Sequence, residues 1–179
     1  MTINYSSFKT LPSEFYDGIK RLLVLTDNEF VPPLSSRTST TQSDLHFHEE
    51  ESSGEHSITL YFNALLKQRF IVATVDNNIA GFISFIKDHT VDDVVVPSNN
   101  AYVSTICVDP EYRRRGITNE FYNEIEADPE NHFVFTRTWS KNDSHIHLLL
   151  KRDYKLIHEV IDGRAEGINT VYYAKELMR

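Results

Sequence analysis

A single cysteine, Cys107, stands in the 179 residues, so no intrachain disulfide staples the chain and a reducing compartment is the natural one. No apolar run approaches the roughly 20 residues needed to span a bilayer. Met1-Thr2-Ile3-Asn4-Tyr5 has neither the basic stretch nor the apolar run of a secretory leader. A cytoplasmic protein with no membrane partner is expected. Positive charge is also scarce: 18 Lys and Arg face 26 Asp and Glu, a formal net charge of −8. That balance argues against general nucleic-acid binding, which needs cations against phosphates, and it is compatible with a cationic acceptor such as an amine. There is no internal repeat, no Gly-Lys-Ser/Thr of a Walker A loop and no G-x-G-x-x-G fingerprint.

What is present describes a folded domain. Eleven Phe, nine Tyr and a 40% hydrophobic content exclude disorder for most of the chain. A chain of this length buries roughly 70% of its unfolded surface without help from metal or disulfide. One domain over residues 1–179 is expected. Residues 3–8 read as a short strand. Ser13 reads as the N-cap of a helix whose apolar positions are Phe15, Ile19, Leu22 and Leu23. From Val31 to about residue 56 the composition turns to Pro, Ser, Thr, His and Glu, which predicts a long loop, flexible in part, of the kind that serves as a lid or binding loop.

Ile58–Gln68 reads as a second helix with Leu60, Leu65 and Leu66 apolar. Arg69–Val75 and Ile79–Phe85 read as a hairpin around Asp76-Asn77-Asn78, and Asn100–Val108 as a further strand. Ile117, Phe121 and Ile125 form a helical stripe over 116–126. His132–Trp139 is strand, Asn142–Arg152 helix, and Tyr154–Ile161 and Asn169–Ala174 are strands parted by Gly163 and Gly167. The order predicts a mixed α/β or α+β domain with a strand–turn–helix unit at its centre.

That unit carries the chemistry. Ile106-Cys107-Val108-Asp109-Pro110-Glu111-Tyr112-Arg113-Arg114-Arg115-Gly116-Ile117-Thr118 ends a strand, turns, and opens a helix. The first turn of a helix leaves backbone N–H groups unpaired at the positive end of its dipole. An anion fits there, and a diphosphate fits if the backbone can be approached closely, which Gly116 allows. The alternative for the same residues is a solvated basic turn.

Val108-Asp109-Pro110-Glu111-Tyr112-Arg113-Arg114-Arg115-Gly116-Ile117-Thr118 resembles the acyl-CoA-binding motif of the GCN5-related N-acetyltransferases, the GNAT superfamily, V-x-P-x-Y-R/Q-x-x-G-x-G/A. Asn142, Leu148 and Arg152-Asp153-Tyr154 are similar to the family's N-x-x-A-x-x-L-Y-x-x-x-G-F segment. The resemblance implies a mostly antiparallel central sheet with helices on both faces and a splayed central strand pair. It implies transfer of an acetyl group from acetyl-CoA to a primary amine of a small molecule or protein. It places Ile106, Cys107 and Val108 along the pantetheine arm, Arg113, Arg114, Arg115, Gly116, Ile117 and Thr118 at the pyrophosphate, and Asn142 at the pantetheine region. The Val108 N–H is the expected oxyanion donor. The acceptor's identity stays open, no metal is implied, and a homodimer is allowed.

Three positions depart from the family pattern. Thr118 replaces Gly or Ala. Asp153 replaces a Gly at a turn, where Asp tolerates positive φ. Leu149 stands where many members carry the Tyr that protonates the thiolate, which motivates a second reading: a module that binds acyl-CoA without turnover. The substitutes for that acid are Tyr102, expected to share a face with Ser104 and Ile106, and His145, one turn before Leu149. For both, plain packing is the competing account. His46 and His48 beside Glu49, Glu50 and Glu51 read as an acidic loop rather than a metal site. Trp139 reads as core, and Cys107 as a buried thiol rather than a nucleophile.

Overall fold

A computed structural model describes residues 1–45, 54–92 and 94–179, with backbone alone for 54–57. In chain order the elements are β1 (Asn4–Phe8), α1 (Tyr16–Thr26), α2 (Gly54–Leu65), β2 (Arg69–Val75), β3 (Asn78–Lys87), β4 (Asn100–Val108), α3 (Ile117–Ala127), β5 (Phe133–Trp139), α4 (Asp143–Lys151), β6 (Lys155–Ala165) and β7 (Ile168–Glu176). The strands form one sheet in the order β1-β2-β3-β4-β5-β7-β6. All neighbours pair antiparallel except β4 and β5.

Alternation along the strands divides the core into two layers, because successive side chains point to opposite faces. Ile71, Ala73 and Val75 of β2 face Ile117, Phe121 and Ile125 of α3 and Leu149 of α4. Phe70 and Val72 face Ile19, Leu22 and Leu23 of α1 and Tyr61, Phe62 and Leu65 of α2. The sheet is therefore sandwiched, with α1 and α2 on one face and α3 and α4 on the other. β4 lies at its centre, and β3 beside it is buried along nearly its whole length.

Local details differ from the sequence expectations. Ser13 opens a 3₁₀ turn, Ser13–Phe15, that Pro12 precedes, and α1 starts only at Tyr16 with no side-chain cap. The second helix begins at Gly54 rather than Ile58. Leu60 is 52% exposed, and the buried face runs through Ile58, Tyr61, Phe62 and Leu65. Residues 31–45 of the expected loop are packed: Leu34, Arg37, Thr40 and Leu45 are buried, and the Leu45 N–H donates to the Gly163 C=O at 2.8 Å. The remainder of that loop, with His46, His48 and Glu49–Glu51, lies outside the described residues. Gly163 sits inside β6 because a Cβ there would come within 2.7 Å of the Thr170 hydroxyl.

The feature that positions a site is the short β4–β5 pairing. Only Asn100–Val103 pair with Phe133–Thr136. Beyond that point Ser104–Val108 and Arg137–Trp139 part into a wedge. Both strands remain anchored on their outer sides, β4 to β3 and β5 to β7. The split coincides with a bulge: Ser84 pairs with Thr105 and Phe85 with Val103, so Ser104 is an extra residue on β4.

Candidate active site

The register fixes which main-chain groups enter the wedge. The Asp109 N–H donates to the Ala80 C=O at 2.9 Å. In an antiparallel ladder, bonded and non-bonded pairs alternate. Cys107–Phe82 is thus the next bonded pair, while Val108–Gly81 and Ile106–Ile83 are non-bonded. The N–H and C=O groups of Ile106 and Val108 consequently point away from β3, into the gap that β5 has left. The Val108 C=O accepts from Arg113 Nε at 3.1 Å.

Past Val108 the chain makes a 3₁₀ turn, Pro110–Tyr112, with the Asp109 carboxylate accepting from the Glu111 N–H at 3.0 Å. Arg114 and Gly116 then adopt positive φ, 60° and 78°. Gly116 is the N-cap of α3, and its C=O accepts the first helical bond, from the Glu120 N–H at 2.9 Å. The amides of Ile117, Thr118 and Asn119 are left without intrahelical acceptors. A Cβ built on Gly116 would meet nothing within 4 Å, so the space over it is open. Arg113 is partly committed, with Nη2 at 2.9 and 2.7 Å from the two Glu29 carboxylate oxygens.

A cleft of about 550 Å³ joins the wedge to this helix start. Ile106, Cys107, Val108, Arg113, Arg114, Gly116, Ile117, Thr118, Asn142 and His145 all line it. Two expected residues do not. Arg115 turns its guanidinium to Met1 and the Glu111 C=O, over the Tyr112 ring. Tyr102 is 1% exposed and packs against Phe135 and His89. The Ser104 bulge is the reason: it reverses the alternation, so that Tyr102 lies on the opposite face from Ile106.

Other positions fall as follows. Asn142 is the N-cap of α4, and its side chain donates to the Thr138 hydroxyl at 2.9 Å. Asp153 takes φ 66°, as the missing Gly requires. Leu149 is fully buried in the core beneath α4, and Leu148 lines the cleft in its place. Trp139 lines the cleft and packs on Phe30, rather than sitting in the core. The Cys107 thiol receives a hydrogen bond from Thr26, and burial pushes its pKa up to about 12, so no thiolate forms near neutrality. Among the described residues no cluster of His, Cys, Asp or Glu is arranged to hold a metal ion, and no helix is long and apolar enough to cross a membrane.

His145 meets Tyr122, a residue the sequence did not single out, with Nε2 at 2.9 Å from the phenol oxygen. Burial raises the Tyr122 pKa, so the phenol keeps its proton; which partner donates in this bond follows the His145 tautomer. Burial also lowers the His145 pKa from 6.5 to about 4. The unfolded chain therefore binds a proton that the folded chain does not between those values, and stability falls as pH falls from about 6.5 toward 4. His145→Gln is expected to remove about 2 kcal/mol of that acid-dependent loss. Urea unfolding of both proteins at pH 7.5 and 4.5 checks it, and equal pH dependence would contradict the assignment.

The sequence reading also missed three buried arginines that line the cleft. Arg37, Arg137 and Arg164 are 5%, 7% and 4% exposed. They lie 27 residues or more apart in sequence, so no local motif marked them.

The family model for acetyltransferases of the GNAT family matches residues 37–154. No curated protein matches the chain in sequence. Among solved structures, a candidate GNAT acetyltransferase from Desulfovibrio desulfuricans superposes with TM-score 0.69 at 13% identity, over 99% of this chain and 100% of that one. A GNAT-family acetyltransferase from Bacillus cereus gives 0.64 at 14% identity, over the whole of both chains. YncA of Salmonella typhimurium, a candidate acetyltransferase solved with acetyl-CoA, gives 0.63 at 12% identity, over 100% of this chain and 96% of that one. At such identities the superpositions establish a shared fold.

Proposed function

Because the chain belongs to the acetyltransferase (GNAT) family, we propose that it transfers an acetyl group from acetyl-CoA to a primary amine by direct attack, in the cytoplasm. The observation that carries this reading is the opened wedge, with the Val108 N–H aimed into it and the free α3 amides at its mouth. The open space over Gly116 fits a diphosphate, and a structural neighbour holds acetyl-CoA.

When bound, acetyl-CoA supplies an activated thioester carbonyl. Gly116, Ile117 and Thr118 bind the pyrophosphate through main-chain N–H groups, Arg114 adds charge beside it, and Asn142 and Ile106 hold the pantetheine arm. The Val108 N–H stabilises the oxygen on which charge collects as nitrogen attacks. A C–N bond forms and a C–S bond breaks. The amine gives up one proton and the departing sulfur takes one, so the site relocates a proton and needs no net donor. His145 is the residue we assign to carry it. A neutral imidazole accepts the proton, and an imidazolium of so low a pKa passes it readily to a thiolate.

The second reading, a module that binds acyl-CoA without turnover, keeps its motive, because Leu149 lies in the core and supplies no acid to the cleft. Calorimetric titration with CoA and thiol release from acetyl-CoA over a panel of amines test the proposal. Absence of CoA binding overturns it. His145→Ala is expected to lower kcat at least tenfold with CoA affinity unchanged. Tyr102→Phe, outside the cleft, is expected to change kcat less than His145→Ala; the reverse order would remove His145 from the assigned role.

A further inference from the structure

The acceptor end of the cleft has an electrostatic character opposite to that of the chain as a whole. Arg137 is the first β5 residue past the last β4–β5 pair, so it sits at the apex of the wedge, while the α3 N-terminus sits at its mouth. It shares the face of Phe135, the side of the sheet covered by α1 and α2. Arg37 and Arg164 lie close to it: burial, and after it the charge of Arg137, lowers the pKa of both, and Arg37 comes down to about 10 and remains charged at neutral pH.

Three buried guanidinium groups normally come with carboxylates, because an unpaired buried charge is costly. Here no described carboxylate forms an ion pair with any of them. Arg37 spends Nε and Nη2 on the Pro32 C=O. Arg164 spends Nε on the Thr170 hydroxyl and Nη1 on the Val31 C=O. These bonds tie down the 31–45 segment, and Arg37 meets the Tyr61 phenol as well. Arg137 makes no such main-chain bond, and its Nη1 is buried without a hydrogen-bond partner, with the Tyr172 phenol close by. The Tyr102 and Tyr172 hydroxyls, packed outside the cleft lining, are likewise buried and unpartnered. A buried guanidinium nitrogen without an acceptor, in the wall of a cleft, is a donor that an anion can satisfy.

We propose that the acceptor is a small amine that also carries a carboxylate, such as an α-amino acid, and that Arg137, with the charges of Arg37 and Arg164 beside it, holds that carboxylate at the apex of the wedge. This rests on the acetyl-transfer reading and names its substrate class. It reverses the inference from net charge, which favoured a cationic acceptor: the chain as a whole carries −8, yet five arginines and one acid, Glu29, line the cleft. The carboxylate takes no part in bond making. It fixes the molecule so that its neutral amine, a bond or a few away, meets the thioester carbonyl.

The test compares acceptors that differ in one group. Free amino acids, their α-amides and the corresponding decarboxylated amines are offered with acetyl-CoA, and thiol release gives kcat/KM for each. At least one free acid is expected to exceed its amide and its decarboxylated counterpart tenfold or more. Arg137→Gln is expected to abolish that preference while CoA affinity by calorimetry stays unchanged. Amides or plain amines turned over as well as the acids overturn the proposal, and so does an aminophosphonate preferred over the carboxylate of equal length. Binding offers a second readout independent of turnover. Trp139 is the only tryptophan and lines the cleft, so its fluorescence in the CoA complex should respond to N-acetyl amino acids at concentrations at least tenfold lower than to their amides. Equal responses overturn the proposal even if Arg137→Gln fails to fold. CoA binding without any carboxylate preference refutes this inference alone, whereas absence of CoA binding refutes the acetyl-transfer reading beneath it.

Discussion

Val108→Pro is expected to lower kcat by about 10²–10³-fold while CoA affinity stays within a few-fold of wild type. Proline removes one atom that matters, the amide hydrogen. At Val108 that hydrogen points off β3 into the wedge, so its loss breaks no ladder bond. The adjacent position supplies the control. The Cys107 N–H belongs to the bonded pair with Phe82, so Cys107→Pro takes a bond from the centre of the sheet. That variant should lose at least about 1 kcal/mol of stability, visible in urea unfolding. A Val108→Pro protein that is folded, binds CoA and turns over at the wild-type rate would remove the main-chain donor from the mechanism.

The same ladder explains why part of the site was legible in sequence and part was not. The strand–turn–helix run from Ile106 to Thr118 is contiguous, and each residue's place follows from local rules: a strand that ends, a turn that begins at Asp109-Pro110, a glycine where φ must be positive. Nine of its residues were expected at the cofactor, and all but Arg115 line the cleft. Local rules failed where a single residue broke a period. Tyr102 was placed beside Ile106 by strict alternation, and the Ser104 bulge, which no composition signal announces, moved it to the other face. Leu149 occupies the position where the motif places a proton-donating Tyr, and its side chain faces the core.

Parts that depend on distant packing were invisible in the one-dimensional pattern. Tyr122 follows the Phe121 stripe position and reads as another apolar aromatic, yet it meets His145 from 23 residues away. Arg37, Arg137 and Arg164 come from a loop and two strands, and only the folded sheet brings them to one wall. An arginine on an otherwise apolar strand was the available signal: Arg137 interrupts Phe133-Val134-Phe135-Thr136 and Trp139, where a buried charge needs a reason.

Gly116→Trp is expected to weaken CoA binding at least a hundredfold, and two separate costs must be told apart to read it. Gly116 holds φ 78°, a conformation that costs an ordinary L-residue about 1–2 kcal/mol. Any substitution pays that strain, so Gly116→Asn, which tolerates the left-handed region, serves as the comparison for backbone cost alone. The second cost is occupancy. No protein atom lies within 4 Å of a Cβ built at this position, so a side chain leaves the backbone into open space, the space that a ligand over the α3 amides would occupy. The two variants should therefore unfold at similar urea concentrations, with Gly116→Asn keeping CoA affinity within about tenfold of wild type and Gly116→Trp losing it. A tryptophan variant that is folded and binds CoA like wild type would mean that the diphosphate lies elsewhere. The catalytic geometry would then lose its anchor, since the amides that hold the diphosphate are what aim the thioester at Val108.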